Sequence, residues 1–146
     1  MLKPTGLSAS RGVIRANDPD EFAAAFRRIE ALLARPEIRA MREEQNHYIQ
    51  VESFIAGREY AVEGVLTDGR LRTLAVFEKP DPLDGPFFEE TIYITPPRIE
   101  PSALIAATEG AIRALGLTRG PIHAELRYDG QQAFVLEVAA RPIGGL

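Results

Sequence analysis

Ile122-His123-Ala124-Glu125-Leu126-Arg127-Tyr128, the turn Asp129-Gly130, and Ala133-Phe134-Val135-Leu136-Glu137-Val138-Ala139-Ala140-Arg141 together decide the fold. Two alternating runs around an Asp-Gly pair predict a β-hairpin with strands at Ile122–Tyr128 and Ala133–Val138. Side chains alternate between the faces of a strand, so Ile122, Ala124, Leu126 and Tyr128 share one face and His123, Glu125 and Arg127 the other. On the return strand Phe134, Leu136 and Val138 face one way, and Val135, Glu137, Ala139 and Arg141 the other. If the apolar faces coincide, the loop holds an odd number of residues. Glu125 and Glu137 are then on one face, diagonal across a three-residue loop or opposite across a five-residue one. Two carboxylates side by side repel unless a cation sits between them. Mg²⁺ suits such a pair, being held by one or two carboxylates plus phosphate oxygens. A solvated polar face with two unrelated glutamates is the plainer alternative. His123 shares that face, but a single histidine is rarely a metal ligand by itself.

Moving outward, Ser102–Leu115 predicts a helix ended by Gly116. Phe88–Thr95 predicts a strand stopped by Pro96-Pro97, and three prolines keep Lys79–Pro86 out of any regular element. Glu59–Leu66 and Leu71–Glu78 predict strands joined at the Asp68-Gly69 turn, with another strand at Tyr48–Ile55. Near the N-terminus, Leu2–Pro4 reads as a short strand, Thr5–Gly12 as a loop, and Val13–Ala16 as a strand returning from it. Asn17-Asp18 offers a cap, Pro19 fits the first helical position, and Phe22, Phe26, Ile29 and Leu33 make one apolar stripe. This helix ends near Arg35-Pro36, and a short helical turn follows over Glu37–Glu44. The order is a small β-loop-β-α-β lobe, residues 1–52, then a larger, mainly antiparallel sheet with one long helix, residues 53–146. That pattern is α+β.

The 146 residues are 45% apolar and 26% charged, enough for a real core and against wholesale disorder. Lys and Arg number 17 against 21 Asp and Glu, a net charge of −4, which argues against a protein that coats nucleic acid by charge. The absence of cysteine excludes disulfides, cysteine-held zinc, iron–sulfur clusters and thiol catalysis. No apolar run approaches the roughly 20 residues that span a bilayer, and Met1-Leu2-Lys3-Pro4 opens no signal-peptide run. The expectation is a soluble, cytoplasmic chain with no nucleic-acid or membrane partner.

Two further segments offer chemistry. In Thr5-Gly6-Leu7-Ser8-Ala9-Ser10-Arg11-Gly12, glycines let backbone N–H groups turn around an anion and hydroxyls can donate, with Lys3 just before them. It is not a Walker A loop, because no Gly-Lys-Ser/Thr follows, and an ordinary surface turn has the same composition. Glu52-Ser53-Phe54-Ile55-Ala56-Gly57-Arg58-Glu59 connects the two predicted lobes, a natural place for a ligand cleft. A plain strand–turn–strand with acidic edges reads equally well there.

Together these three segments resemble the ATP-grasp superfamily, over essentially the whole chain. The resemblance implies that Lys3 and the Thr5–Gly12 flap, with Ser8, Ser10 and Gly12, hold the phosphates of ATP. It places Glu52, Ser53, Phe54 and Ile55 at the adenine, and Glu59, seven residues after Glu52, at the ribose. It makes Glu125 and Glu137 magnesium ligands, twelve residues apart as in biotin carboxylase, with Mn²⁺ as an alternative ion. Glu137-Val138-Ala139-Ala140-Arg141 resembles the family's Glu-x-Asn-x-Arg, and Arg141 takes the catalytic position, stabilising charge on the carboxylate or acyl-phosphate. Ala139 departs from the pattern where the asparagine completes the metal shell, which puts a second metal in doubt. The Ala-Arg-Pro-Ile-Gly-Gly ending is similar to the carboxylate–amine ligase branch. The implied function is an ATP- and Mg²⁺-dependent ligase joining a small carboxylate to an amine or thiol. The alternative is a non-catalytic nucleotide-binding or assembly module. The resemblance also implies a preceding lobe with a second lysine, so the chain is expected to be the C-terminal part of an ATP-grasp domain, and to self-associate as a homodimer or need that lobe.

Overall fold

A computed structural model describes residues 1–80, 85–87 and 92–144. They form two units: Met1–Phe54 with Gly85–Phe87, and the remaining described residues.

In the first unit, β1 (Leu2–Pro4) pairs antiparallel with β2 (Ile49–Val51), placing Lys3 opposite Gln50. Among the described residues the other edge of β1 meets Ile14 alone, through two backbone bonds of 2.9 Å. The strand expected at Val13–Ala16 is thus a single bridge, because the Arg15 N–H turns away to the Pro86 carbonyl at 3.0 Å. The strand expected over Tyr48–Ile55 is likewise only β2, and its ladder ends where the Glu52 N–H bonds the Met1 carbonyl. Helix α1 (Pro19–Leu33) starts as its sequence predicts, with Asp18 Oδ1 accepting the Glu21 N–H at 2.8 Å and Pro19 in the first turn. Its buried line runs through Ala25 and Ile29, which join Leu2 and Ile14 in a small core. Phe22, placed in the stripe from its spacing, is 38% exposed and stacks on Phe26. A short α2 (Pro36–Arg39) and a 3-10 turn (Glu44–His47) replace the one turn expected at Glu37–Glu44.

The second unit is a four-stranded antiparallel sheet of β3 (Arg58–Thr67), β4 (Arg70–Lys79), β5 (Gly120–Tyr128) and β6 (Ala133–Ala139), in the order β4-β3-β5-β6. One face is covered by α3 (Ser102–Ala114), whose buried residues Leu104, Thr108 and Ile112 follow at steps of four. Leu104 and Ile112 join Tyr60, Val62, Ile122, Ala124 and Leu126 in the main core. Truncating one of its large aliphatic side chains costs about 2–5 kcal/mol. The Thr108 hydroxyl is satisfied inside the helix, donating to the Leu104 carbonyl at 2.9 Å. Of the strand expected at Phe88–Thr95, residues 88–91 lie outside the described residues, and Ile94 makes only an isolated bridge to Glu78. Of the proline-rich loop, residues 81–84 lie outside them too, and Gly85–Phe87 is irregular. Gly57 leads into β3 at φ +111, where a Cβ would stand 2.5 Å from the Tyr128 carbonyl oxygen, so this close crossing requires glycine.

The decisive hairpin departs from expectation in its parity. Tyr128 pairs with Ala133, so the loop Asp129–Gln132 has four residues, not an odd number. Asp129 Oδ1 ties it by accepting the N–H groups of Gln132 and Gln131 at 2.7 and 2.8 Å, which holds the Asp129 carboxyl below its usual range. A bulge restores the pattern: Leu126 pairs with Val135 but Glu125 with Glu137, leaving Leu136 as the extra residue. Val135 and Val138 therefore both pack on the core, where alternation alone set them on opposite faces. Glu125 and Glu137 end directly opposite each other.

Candidate metal and nucleotide site

Strand pairing lays out the face of the sheet away from α3 as three rows. Lys79, Glu59, Arg127 and Phe134 form the first; Phe77, Ala61, Glu125 and Glu137 the second; Ala75, Glu63, His123 and Ala139 the third. Charges of opposite sign are neighbours in the first and third rows, whereas Glu125 and Glu137 face each other in the second. The Lys79 ammonium lies 3.1 Å from Glu59 Oε1 and 2.9 Å from Glu125 Oε1. Arg127 reaches Glu59 Oε2 at 3.4 Å and donates to the Ile55 carbonyl at 2.5 Å. His123 is buried between two carboxylates, with Nε2 3.1 Å from Glu125 Oε1 and Nδ1 bonded to Glu63 Oε1. The other oxygen of Glu63 accepts the Ile143 N–H at 3.2 Å.

These contacts fix the ionisation of Glu125. Burial works against its charge, but the His123 hydrogen bond and the Lys79 ammonium outweigh that, and its pKa falls to about 2. The hydrogen bond with Glu125 raises the His123 pKa, against the opposing effect of burial and with help from Glu63. Lys79 and His123 both use Oε1 of Glu125, so Oε2 has no hydrogen-bond partner among the described residues and is not buried. Across the pair, Glu137 is exposed and has no such partner either. Two open, hard oxygen donors on facing strands fit Mg²⁺, which takes few protein ligands and completes its shell with water and phosphate oxygens. No group of three or more His, Asp or Glu suited to a metal occurs among the described residues. A metal here would need ligands from elsewhere. His123, with a carboxylate on each ring nitrogen, is not an open ligand, and Ala139 opposite it offers no donor.

Arg141 follows β6 on an exposed segment and donates to the Pro142 carbonyl at 3.0 Å. Glu59, expected at a ribose, has both oxygens in ion pairs with Lys79 and Arg127. In the first unit, Lys3 and Glu52, expected at phosphate and adenine, are paired with each other at 2.7 Å. Gln50 holds the second Glu52 oxygen at 2.6 Å. The flap is pinned at its base, where the Thr5 hydroxyl donates to the Gln45 carbonyl at 2.6 Å. The hydroxyls of Ser8 and Ser10 have no hydrogen bond among the described residues. Gly12 closes the flap at φ +83, with a Cβ there meeting Pro4 and Leu32 below 3.0 Å. Phe54 lies under the Arg15 guanidinium, 4.0 Å from ring centroid to Cζ, and Ile55 supplies the carbonyl that Arg127 takes. An open groove of about 850 Å³ in the first unit, lined by Phe26, Leu33, Ile38 and Tyr48 among others, includes none of these residues.

Sequence reading missed Glu63 and Lys79. The run Glu59-Tyr60-Ala61-Val62-Glu63 does place two acids on one face by alternation. The pairing of that face with His123, 60 residues away, is a tertiary fact.

The ATP-grasp domain family matches residues 1–146. Dapdiamide A synthase of Enterobacter agglomerans is 27% identical over 150 residues, covering 99% of this chain and 33% of its own. The L-amino acid ligase from Bacillus licheniformis superposes with a TM-score of 0.74 at 36% identity, over 88% of this chain and 31% of that one. D-alanine–D-alanine ligase from Bacillus anthracis, at 17% identity and a TM-score of 0.63 over 97% of this chain and 43% of its own, shares the fold. The chain thus spans about a third of the length of the synthase and of the L-amino acid ligase. No helix among the described residues is long and apolar enough to cross a membrane. A family match running from the first residue to the last, on an α+β fold shared with solved ATP-grasp ligases, means that this chain belongs to the ATP-grasp family.

Proposed function

We propose that the chain carries nucleotide- and metal-binding machinery of an ATP- and Mg²⁺-dependent carboxylate ligase that works in the cytoplasm. The observation that carries this reading is the facing pair of Glu125 and Glu137, each with an open carboxylate oxygen. Similarity to proteins named dapdiamide A synthase and L-amino acid ligase supports a small carboxylate joined to an amine as the reaction, with a thiol acceptor as the less favoured variant. A carboxylate oxygen of the substrate attacks the γ-phosphorus of ATP, the bond to the ADP oxygen breaks, and an acyl-phosphate forms. The amine nitrogen then attacks the acyl carbon, phosphate leaves with the bonding pair, and the nitrogen loses a proton.

Positioning and charge neutralisation do most of such work. Glu125 and Glu137 would hold Mg²⁺, or Mn²⁺ in its place, and the ion would neutralise phosphate charge. Lys3 would exchange Glu52 for phosphate, and the flap with Ser8, Ser10 and Gly12 would supply donors to it. Glu52, Phe54 and Ile55 would meet the base. Glu59 would reach the ribose only by loosening an ion pair. Arg141, exposed and, among the described residues, bonded only to a neighbouring carbonyl, would stabilise charge on the carboxylate or acyl-phosphate.

A second reading, a nucleotide-binding module without turnover, is favoured by Ala139, a methyl group where the resemblance implies an amide ligand. Mg²⁺-dependent ADP release in the presence of an amino acid pair separates the two. ADP release supports the ligase, and Mg²⁺-dependent ADP binding without release supports the module. Absence of both rejects the nucleotide site.

A further inference from the structure

Glu63 is nearly buried on β3, two strands away from β6, yet it touches the chain on both sides of the proposed metal site. Its Oε1 bonds Nδ1 of His123, whose Nε2 bears on Glu125. Its Oε2 takes the backbone N–H of Ile143, two residues after Arg141. The segment leaving β6 is therefore tied back across the sheet by this side chain. We propose that Glu63 is a positioning residue: one carboxylate orients the His123 ring that braces Glu125 and holds the backbone that carries Arg141, so metal ligand and phosphate-facing arginine keep a common spacing. This rests on the functional reading above, in which Glu125 and Arg141 act on the same nucleotide.

A carboxylate serves both partners with acceptor oxygens: one takes the Ile143 N–H and the other pairs with the His123 ring. An amide keeps one acceptor and faces the other partner with an N–H₂, so the ring must turn or change tautomer to keep the contact. A tenfold change in an equilibrium corresponds to about 1.4 kcal/mol, the size of one lost hydrogen bond.

The test uses the ¹⁵N-labelled 146-residue chain with Mn²⁺ and ADP as probes. In the wild type, Mn²⁺ with ADP is expected to broaden amides around Glu125 and Glu137 and that of Ile143. In Glu63→Gln, amide exchange at Ile143 is expected to rise about tenfold and the Kd for ADP with Mn²⁺ about fivefold, while exchange at Ala124 and Leu126 stays unchanged. Ile143→Pro removes the same N–H without touching the sheet, and is expected to weaken ADP to a similar degree even if Glu63→Gln fails to fold. Wild-type ADP affinity in Ile143→Pro, or unchanged Ile143 exchange in a folded Glu63→Gln, overturns the proposal while the functional reading stands. No broadening around Glu125 and Glu137 in the wild type overturns the functional reading, and this proposal with it.

Discussion

The Lys79 ammonium lies 2.9 Å from Oε1 of Glu125, on the oxygen that His123 also uses. Both groups thus use the same carboxylate oxygen, and the other has no hydrogen-bond partner among the described residues. The buried ammonium neutralises Glu59 as well, so one side chain supports two rows of the polar face.

Replacing that ammonium should be costly. Lys79→Met leaves Glu59 and Glu125 without a shared cation, and breaking a buried pair costs about 3–5 kcal/mol. The expected result is a large fall in the urea midpoint with little change in m. The carboxyl carbon of Glu125 should then titrate above its present value of about 2. A midpoint within error of the wild type would show that the cluster is not stabilised through Lys79.

The pH dependence of stability follows from two shifts of opposite sense. Glu125 is depressed from 4.5 to about 2 on folding, so its contribution is full above 4.5 and is lost as pH falls toward 2. His123 is raised from 6.5, so its contribution is full below 6.5 and is lost as pH rises through the folded value. In metal-free buffer the two overlap between 4.5 and 6.5, where this cluster should stabilise most. A decline above 6.5 is expected in wild-type urea curves, and His123→Gln should remove it. The same alkaline decline in the variant would assign it to another group.

Metal dependence should separate the two glutamates proposed at the nucleotide. Glu137→Gln should weaken the Mg²⁺-dependent part of ADP binding more than Glu52→Gln, because a neutral amide is a poor ligand for a hard cation. Glu52 already has Lys3 and Gln50 on its oxygens. Calorimetry with and without Mg²⁺ checks this, and equal losses would remove the metal assignment from Glu137.

Flap protection gives a further check. The described contacts hold the Thr5–Gly12 flap mainly at Thr5, and Ala9 and Ser10 sit at positive φ without the freedom of glycine. Amides across Gly6–Gly12 should exchange rapidly in the free chain and slow on saturation with a non-hydrolysable ATP analogue and Mg²⁺. Rates unaffected by the analogue would take the phosphate role away from the flap.

Gly57→Ala tests the crossing that leads into β3. The added methyl meets the backbone carbonyl of Tyr128, which no rotamer change relieves, at a φ unfavourable for alanine. A loss well above the roughly 1 kcal/mol of a strained φ alone is expected from urea unfolding.

Local signals in the sequence settled much of this protein. Asp18 and Pro19 start α1, Gly116 follows the helix read from Ser102, the Asp-Gly turn joins β3 to β4, and alternation puts Ala124 and Leu126 inward with Glu125 outward. Each depends on residues a few positions apart, so a single sequence carries it. Tertiary structure decided the rest. Parity of the last hairpin turned on a four-residue loop capped by Asp129 and a bulge at Leu136, which binary alternation does not encode. The environment of Glu125 came from Lys79, 46 residues away, and that of His123 from Glu63, 60 residues away, because β3 lies between β4 and β5 in the sheet. Sequence chooses which side chains carry charge, but pairing between distant strands chooses which charges meet, and that is what leaves one oxygen of Glu125 open beside Glu137.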